Sequence, residues 1–420
     1  MPLHKKVKIA LIAGHIVECF DNTIYGFFAI MLAPVFFSPD STLSATLMAY
    51  GGFAAGFLAR PLGAIFLGRL GDKYGRRNPL LWSMVLVGLP TAIIGLIPPF
   101  DVWGPISSLL LILCRLLQGF FYGAEYTGIT LYNIEDTDKS SIGQRTGIII
   151  GCGVFGAVIA TAVGALVTMD NMPSWAWRIP FLCGGTAAFI VYLTRRELKE
   201  TFEFELARQR NDITASPLKQ VFSKYKLSLF IGILIGGLLS MPLYCCTIFA
   251  NKLFREFGYS TSQSMLLNMA AMIFDGIFIM LAGRLADIIG FYRQMILGAT
   301  LVALSALPAF ILINVSVVTT LDIYLFIALL TIAGTIINGC AMPFLASCFP
   351  ASCRYCGVAL SSTLGSALLA GTTPLMNTLL ITWFGTKLAP AFWLIFNSLL
   401  TASFIWYYKY KTQGNTSCPV

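Results

Sequence analysis

The ten residues at 68–77, GRLGDKYGRR, return at 283–293 as GRLADIIGFYR. Gly68, Arg69, Leu70, Asp72 and Gly75 are matched by Gly283, Arg284, Leu285, Asp287 and Gly290, 215 positions later. Each copy sits between two apolar runs of about twenty residues, the length an α-helix needs to cross roughly 30 Å of hydrocarbon. A charged, glycine-bearing turn at the same place in two halves constrains the chain to a duplicated helical bundle. The glycines permit a tight reversal, and Asp72 can cap the helix that follows or pair with Arg76 or Arg77.

Hydropathy extends this pattern over the whole chain. Of 420 residues, 57% are hydrophobic and 11% charged, with a mean hydropathy of +0.78, whereas a soluble domain carries roughly 25% charged residues. Twelve charge-poor segments recur, at 8–32, 45–67, 79–99, 104–128, 146–168, 177–195, 226–250, 262–284, 291–313, 320–343, 358–381 and 387–409. The fold predicted is an all-α membrane protein of twelve transmembrane helices in two pseudo-symmetric six-helix bundles. Residues 1–195 form the first bundle, 196–225 a cytoplasmic linker that is partly helical, 226–409 the second bundle and 410–420 a short cytoplasmic tail.

The formal charge of +9 invites a nucleic-acid reading, but the placement of the bases points to topology. With the N-terminus in the cytoplasm, 22 of the 28 Lys and Arg fall on that side, and only Arg178, Lys252, Arg255 and Lys387 fall on the other. That is the positive-inside bias of a multi-pass protein with both termini cytoplasmic, and no nucleic-acid partner is expected. Most of the eleven cysteines lie within apolar segments, where thiols behave as small hydrophobes. No disulfide framework, metal site or cofactor is expected, and two histidines exclude a His-rich ligand set. With no nucleophile–base pair either, the chain does not read as an enzyme. The basic N-terminal stretch carries acids inside its apolar run, so it reads as a retained helix and not a cleaved signal.

Two polar stripes carry the chemistry. In the first span His15, Glu18, Asp21 or Asn22, and Tyr25 share one helical face; in the fourth, Arg115, Gln118, Tyr122 and Glu125 do the same. A carboxylate at the bilayer centre costs about 2.5–3.5 kcal/mol on insertion scales, so such stripes must face protein, water or solute. Arg115 offers a planar fork suited to a carboxylate, whether that of Glu18, Asp21 or Glu125 or that of a bound solute. Arg60 reads as within snorkelling reach of the surface only if its helix ends early, so its role stays open, and Arg115 reads as the central intramembrane base. Gly147, Gly151, Gly153, Gly156 and Gly164 make the fifth span suited to a tight, sliding helix contact. The second half has one clear mid-helix acid, Asp275, beside polar residues such as Tyr244 and Asn338.

These stretches resemble the major facilitator superfamily and, within it, the metabolite:proton symporters, most of all proline/glycine-betaine transporters. The resemblance rests on GHIVECFDNTIYGFFA at 14–29, RPLGAIFLGRLGDKYGRR at 60–77, RLLQGFFYGAEYTG at 115–128, WRIPF at 177–181, RRELKET at 195–201 and FPASCRYCGVA at 349–359. It implies uptake of a small zwitterionic or carboxylated solute by proton symport across a bacterial inner membrane, with no obligatory protein partner. Sodium is the alternative coupling ion, and a di- or tricarboxylate such as 2-oxoglutarate or citrate the alternative solute. A membrane solute sensor that binds without transporting is the rival of another class. Carried over, the resemblance implies a solute site at His15, Glu18, Asp21, Tyr25, Arg115, Gln118 and Tyr244. Glu18, Asp21 and Glu125 become proton-coupling candidates, and Gly68, Asp72, Gly75, Arg76, Arg77 and Asp287 a cytoplasmic gate. Relatives usually carry Asn in place of His15 and Trp in place of Cys19, which makes the pocket's shape particular to this chain.

Overall fold

The computed structural model describes residues 5–37, 42–135, 139–167, 169, 171–214, 216–259, 261–315 and 318–412. Residues 413–420, most of the predicted tail, lie outside them. The first half comprises α1 (Lys5–Phe36), α2 (Thr42–Tyr74), α3 (Arg77–Leu96), the short α4 (Phe100–Trp103), α5 (Pro105–Glu135), α6 (Ile142–Val167) and α7 (Arg178–Arg195). Two short helices follow, α8 (Phe202–Gln209) and α9 (Pro217–Lys224). The second half contains α10 (Lys226–Leu238), α11 (Met241–Tyr244), α12 (Ala250–Glu256), α13 (Thr261–Ile289), α14 (Phe291–Leu312), α15 (Thr320–Ser347), α16 (Arg354–Gly365), α17 (Thr373–Phe384) and α18 (Ala389–Thr412). Nine helices among the described residues are long and apolar enough to cross a membrane. With α1, α2 and α7 they make the twelve spans, all running between a linker end and an opposite end.

Spans seven and eleven are jointed. Between α11 and α12 the backbone widens to a π-helical turn at Cys245–Phe249, and between α16 and α17 to another at Ser366–Ala370. A chain break inside lipid is tolerated only where protein satisfies the freed backbone. Asn338 supplies that service, its Nδ2 donating to the Leu239 carbonyl at 3.0 Å just before α11.

The halves meet through glycine. A Cβ on Gly147 would lie 2.8 Å from the Ile279 carbonyl oxygen, and one on Gly143 would lie 2.4 Å from that of Gly283. The backbones of α6 and α13 therefore touch directly, as the glycine-dense fifth span predicts. The turns of the repeat are also matched in conformation, with Gly75 at φ 110° and Gly290 at φ 87°, a region that suits only glycine there.

Candidate transport site

At mid-bundle, α1, α2, α3 and α5 aim polar side chains at one another. Asp21 is 2% exposed and fully engaged. Thr91 donates to its Oδ1 at 2.7 Å, Gln118 Nε2 donates to its Oδ2 at 3.0 Å, and the Tyr122 hydroxyl donates to the same oxygen. Gln118 is turned by Arg115, whose Nη1 donates to its Oε1 at 2.8 Å. The Arg115 guanidinium lies 4.0 Å from the centre of the Tyr25 ring, a cation–π contact in a desolvated setting. One helical turn away, Glu18 and His15 are joined at 2.9 Å, and the His15 ring packs 5.5 Å from that of Tyr126.

The structure settles the depth of Arg60. Because α2 continues to Tyr74, Arg60 is held within the bundle, its Nη2 donating to Asn22 Oδ1 at 2.6 Å and its guanidinium 3.9 Å from the Phe57 ring centre. The centre thus holds two guanidinium groups. From the second half, Tyr244 comes close enough to Arg60 and Cys19 to interact electrostatically with both.

Glu125 is placed elsewhere. It accepts from Arg195 Nη1 at 2.5 Å and from the Ser83 hydroxyl. Arg195, the last residue of α7, is fully buried and also donates to the Leu80 carbonyl at 3.0 Å. The side chain packs so tightly on α1 that a Cβ on Gly14 would overlap it at 1.8 Å. Sequence reasoning ended the sixth span at Arg195 and counted it among the cytoplasmic bases; of the adjacent Arg195 and Arg196, nothing local indicates which turns inward.

A second cluster closes the linker end. Asp72 does not cap α3, since its carboxylate accepts from Arg76 Nη1 at 2.9 Å and from the backbone N–H groups of Tyr355 and Cys356 at 2.9 and 2.8 Å. It thereby caps α16 of the other half, where the positive end of the helix dipole favours an anion. Asp287 accepts from the N–H groups of Gly143 and Gln144 at 2.7 and 2.8 Å, at the start of α6. Arg76 is completely buried and also bonds Glu135 through Nε at 3.1 Å, while Glu135 is shared with Arg354 at 3.2 Å and Thr201 at 2.8 Å. Burial works against the Arg76 charge, but Glu135 and Asp72 outweigh it and hold the pKa above the ordinary arginine value.

Gly68 lies against Cys356, a Cβ there falling 3.1 Å from its Cα. Arg77 belongs to a different set of contacts, with Nη2 donating to the Arg196 carbonyl at 2.9 Å and Nε to that of Leu198. The linker docks as well as covers: Glu200 accepts from Arg76 N at 2.8 Å, and Phe204 and Val221 are buried. Glu135, Glu200 and Arg354 were not singled out from sequence. A lone acid at the end of an apolar helix carries no periodic signal, and the partners of Glu135 are 59 and 219 residues away.

The sequence pattern of the Major Facilitator Superfamily matches residues 11–250. The citrate-proton symporter of Klebsiella pneumoniae is 31% identical over 396 residues, covering 92% of this chain and 88% of that protein. The proline/betaine transporter of Escherichia coli K12 is also 31% identical, over 412 residues, covering 93% of this chain and 80% of that protein. Among solved structures, the proton:xylose symporter XylE bound to 6-bromo-6-deoxy-D-glucose superposes with a TM-score of 0.76 at 18% identity, over 96% of this chain and 95% of that one. The twelve spans, the repeated turn and these likenesses agree, and the chain belongs to the major facilitator superfamily.

Proposed function

We propose that this protein is a proton symporter that imports a small carboxylated solute across a bacterial inner membrane, with the linker end in the cytoplasm. The observation that carries the reading is the convergence of Arg60 and Arg115 with Glu18 and Asp21 at a buried centre, facing Tyr244 of the other half. The solute carboxylate binds at Arg115, whose fork matches it bidentately. Two guanidinium groups against two carboxyl groups leave the site near charge balance, so a zwitterion such as proline or a betaine enters without adding net charge.

Coupling follows from differential affinity. Solute and proton together lower a barrier to reorientation that either one alone leaves high. Glu18 and Asp21 are the acids at the solute, whereas Glu125 is committed to Arg195 and serves the bundle's integrity. With the linker end latched by Asp72 and Asp287, release inward requires both latches to part.

One observation favours a second solute class. Arg60 gives the centre a second cation, so a di- or tricarboxylate could engage two guanidinium groups while protons offset its excess charge. Uptake of labelled proline, betaine, 2-oxoglutarate and citrate into liposomes holding the purified protein, under an inside-alkaline gradient with a protonophore control, separates the two. Protonophore-sensitive accumulation of one solute fixes the class. Binding without accumulation of any of them, in proton or sodium gradients, would replace the transporter by a solute sensor.

A further inference from the structure

Six acidic side chains are buried among the described residues, and five have partners. Glu18 meets His15, Asp21 meets Thr91, Gln118 and Tyr122, Asp72 meets Arg76, Glu125 meets Arg195, and Glu135 meets Arg76 and Arg354. The sixth, Asp275, is 3% exposed and forms no hydrogen bond or ion pair with any described residue. It lies midway along α13, the helix that crosses α6 at the seam between the halves.

Burial of an ionised carboxylate without a partner is costly, and a neutral carboxylic acid avoids that cost. Among the described residues no counter-ion is paired with it. The titratable groups in its vicinity among the described residues are Tyr126 of α5 and Cys246 of the π-helical turn. From α6, Gly151, Val154 and Phe155 pack on the adjacent Gly276. On α15 the stretch Thr331–Asn338 carries no charged residue, and on α14 none follows Arg293.

Tyr126 joins this acid to the first half. Its ring is 5.5 Å from His15, which holds Glu18, and Asp275 lies in its vicinity on the other side of the seam. Glu18, His15 and Tyr126 thus reach from the first half toward the seam on whose other side Asp275 lies.

We infer that Asp275 is a second proton-binding residue of the transport cycle, holding its proton in this linker-closed conformation and exchanging it across Tyr126 and His15 with Glu18 when the seam shifts. The inference rests on the proton-symport reading and extends it to the second half. The proton leaves the Asp275 carboxyl oxygen and is taken up by the Glu18–His15 pair, so charge and atoms balance with no further reactant.

The test compares wild type with Asp275→Asn in liposomes, since the amide keeps the shape of a neutral acid without its proton. Infrared spectroscopy of the wild type should show the carbonyl band of a protonated carboxyl group that is missing from Asp275→Asn, and solute-driven proton uptake should fall at least tenfold in the variant. An unchanged band, or proton uptake per solute equal to wild type, overturns the assignment. Thermal unfolding of the purified variant reports whether it folds, and Asp275→Glu, which restores the acid, should recover the band. If the wild type itself accumulates no solute in a proton gradient, the symport reading fails, while the infrared comparison still decides the state of Asp275.

Discussion

Asp72 and Asp287 stand 215 residues apart at the same place in the two halves, and each caps a helix of the opposite half. Asp72 accepts from the second and third residues of α16, Tyr355 and Cys356, and Asp287 from the second and third residues of α6, Gly143 and Gln144. The duplicated turn thus makes two crossed latches on one face of the molecule. A partly buried anion at a helix N-terminus contributes up to about 2 kcal/mol, and a shift of about 1.4 kcal/mol moves an equilibrium tenfold.

Asp72→Asn should therefore raise the population open at the linker end about tenfold. Cys353 and Cys356, fully buried behind the latch, report it through their reaction with a membrane-permeant maleimide. A labelling rate equal to wild type would show that the latch does not hold this face shut. Asp287→Asn should act in the same direction and add to it.

Arg76 brings no pH sensitivity to this latch. Its folded-state pKa lies above the ordinary value, so the stability it adds is complete below that value and is lost only as pH rises through the still higher folded one. Arg76→Lys, which gives up the bidentate contact with Glu135, should slow uptake while leaving the midpoint of its pH profile in place. A displaced midpoint would assign the titration to the latch.

Glu125 and Arg195 form a buried pair, and removing one partner strands the other at a cost of about 3–5 kcal/mol. Arg195→Leu and Glu125→Leu should each lower the unfolding temperature of the detergent-purified protein substantially. The double variant, which leaves neither charge stranded, should recover part of the loss. Additive losses would mean that the two side chains act independently.

Arg115→Ala removes the fork that orients a carboxylate, a charge-assisted contact of about 1.5–3 kcal/mol. Solute affinity should fall roughly 10- to 100-fold. Arg60→Gln separates the solute classes: it should weaken a tricarboxylate by the same factor and a betaine only slightly. Equal weakening of both would place Arg60 at the carboxylate that all these solutes share.

Much of this arrangement was legible before any coordinates. Spacings of three and four put Glu18 and Asp21 on one face of α1 and Arg115 and Gln118 on one face of α5, and the structure brings Asp21 to Gln118. The partners that were not legible lie far along the chain or belong to the backbone. Asp72 bonds amide groups 283 and 284 residues away, which no side-chain pattern announces. The role of Arg60 stayed open because its depth depends on where α2 ends, and the glycines and charges after it resemble a helix terminus although the helix runs on to Tyr74. Arg195 was masked by its neighbours, since a charge run looks solvated even when one member folds back into the bundle.

The jointed spans give the two halves different mechanical characters. The half that carries the guanidinium groups is built of spans without such π-helical joints, and so keeps its charges at fixed spacing. The half facing it has joints at Cys245–Phe249 and Ser366–Ala370, and α17, beyond the second joint, is tied to the first joint where Asn377 donates to the Cys245 sulfur at 3.3 Å. In the transport cycle proposed above, these joints are the places at mid-membrane where α12 and α17 bend on the side away from the linker while both latches stay fastened. Admission and release would then be governed by separate moving parts, a hinge at one mouth and a clasp at the other.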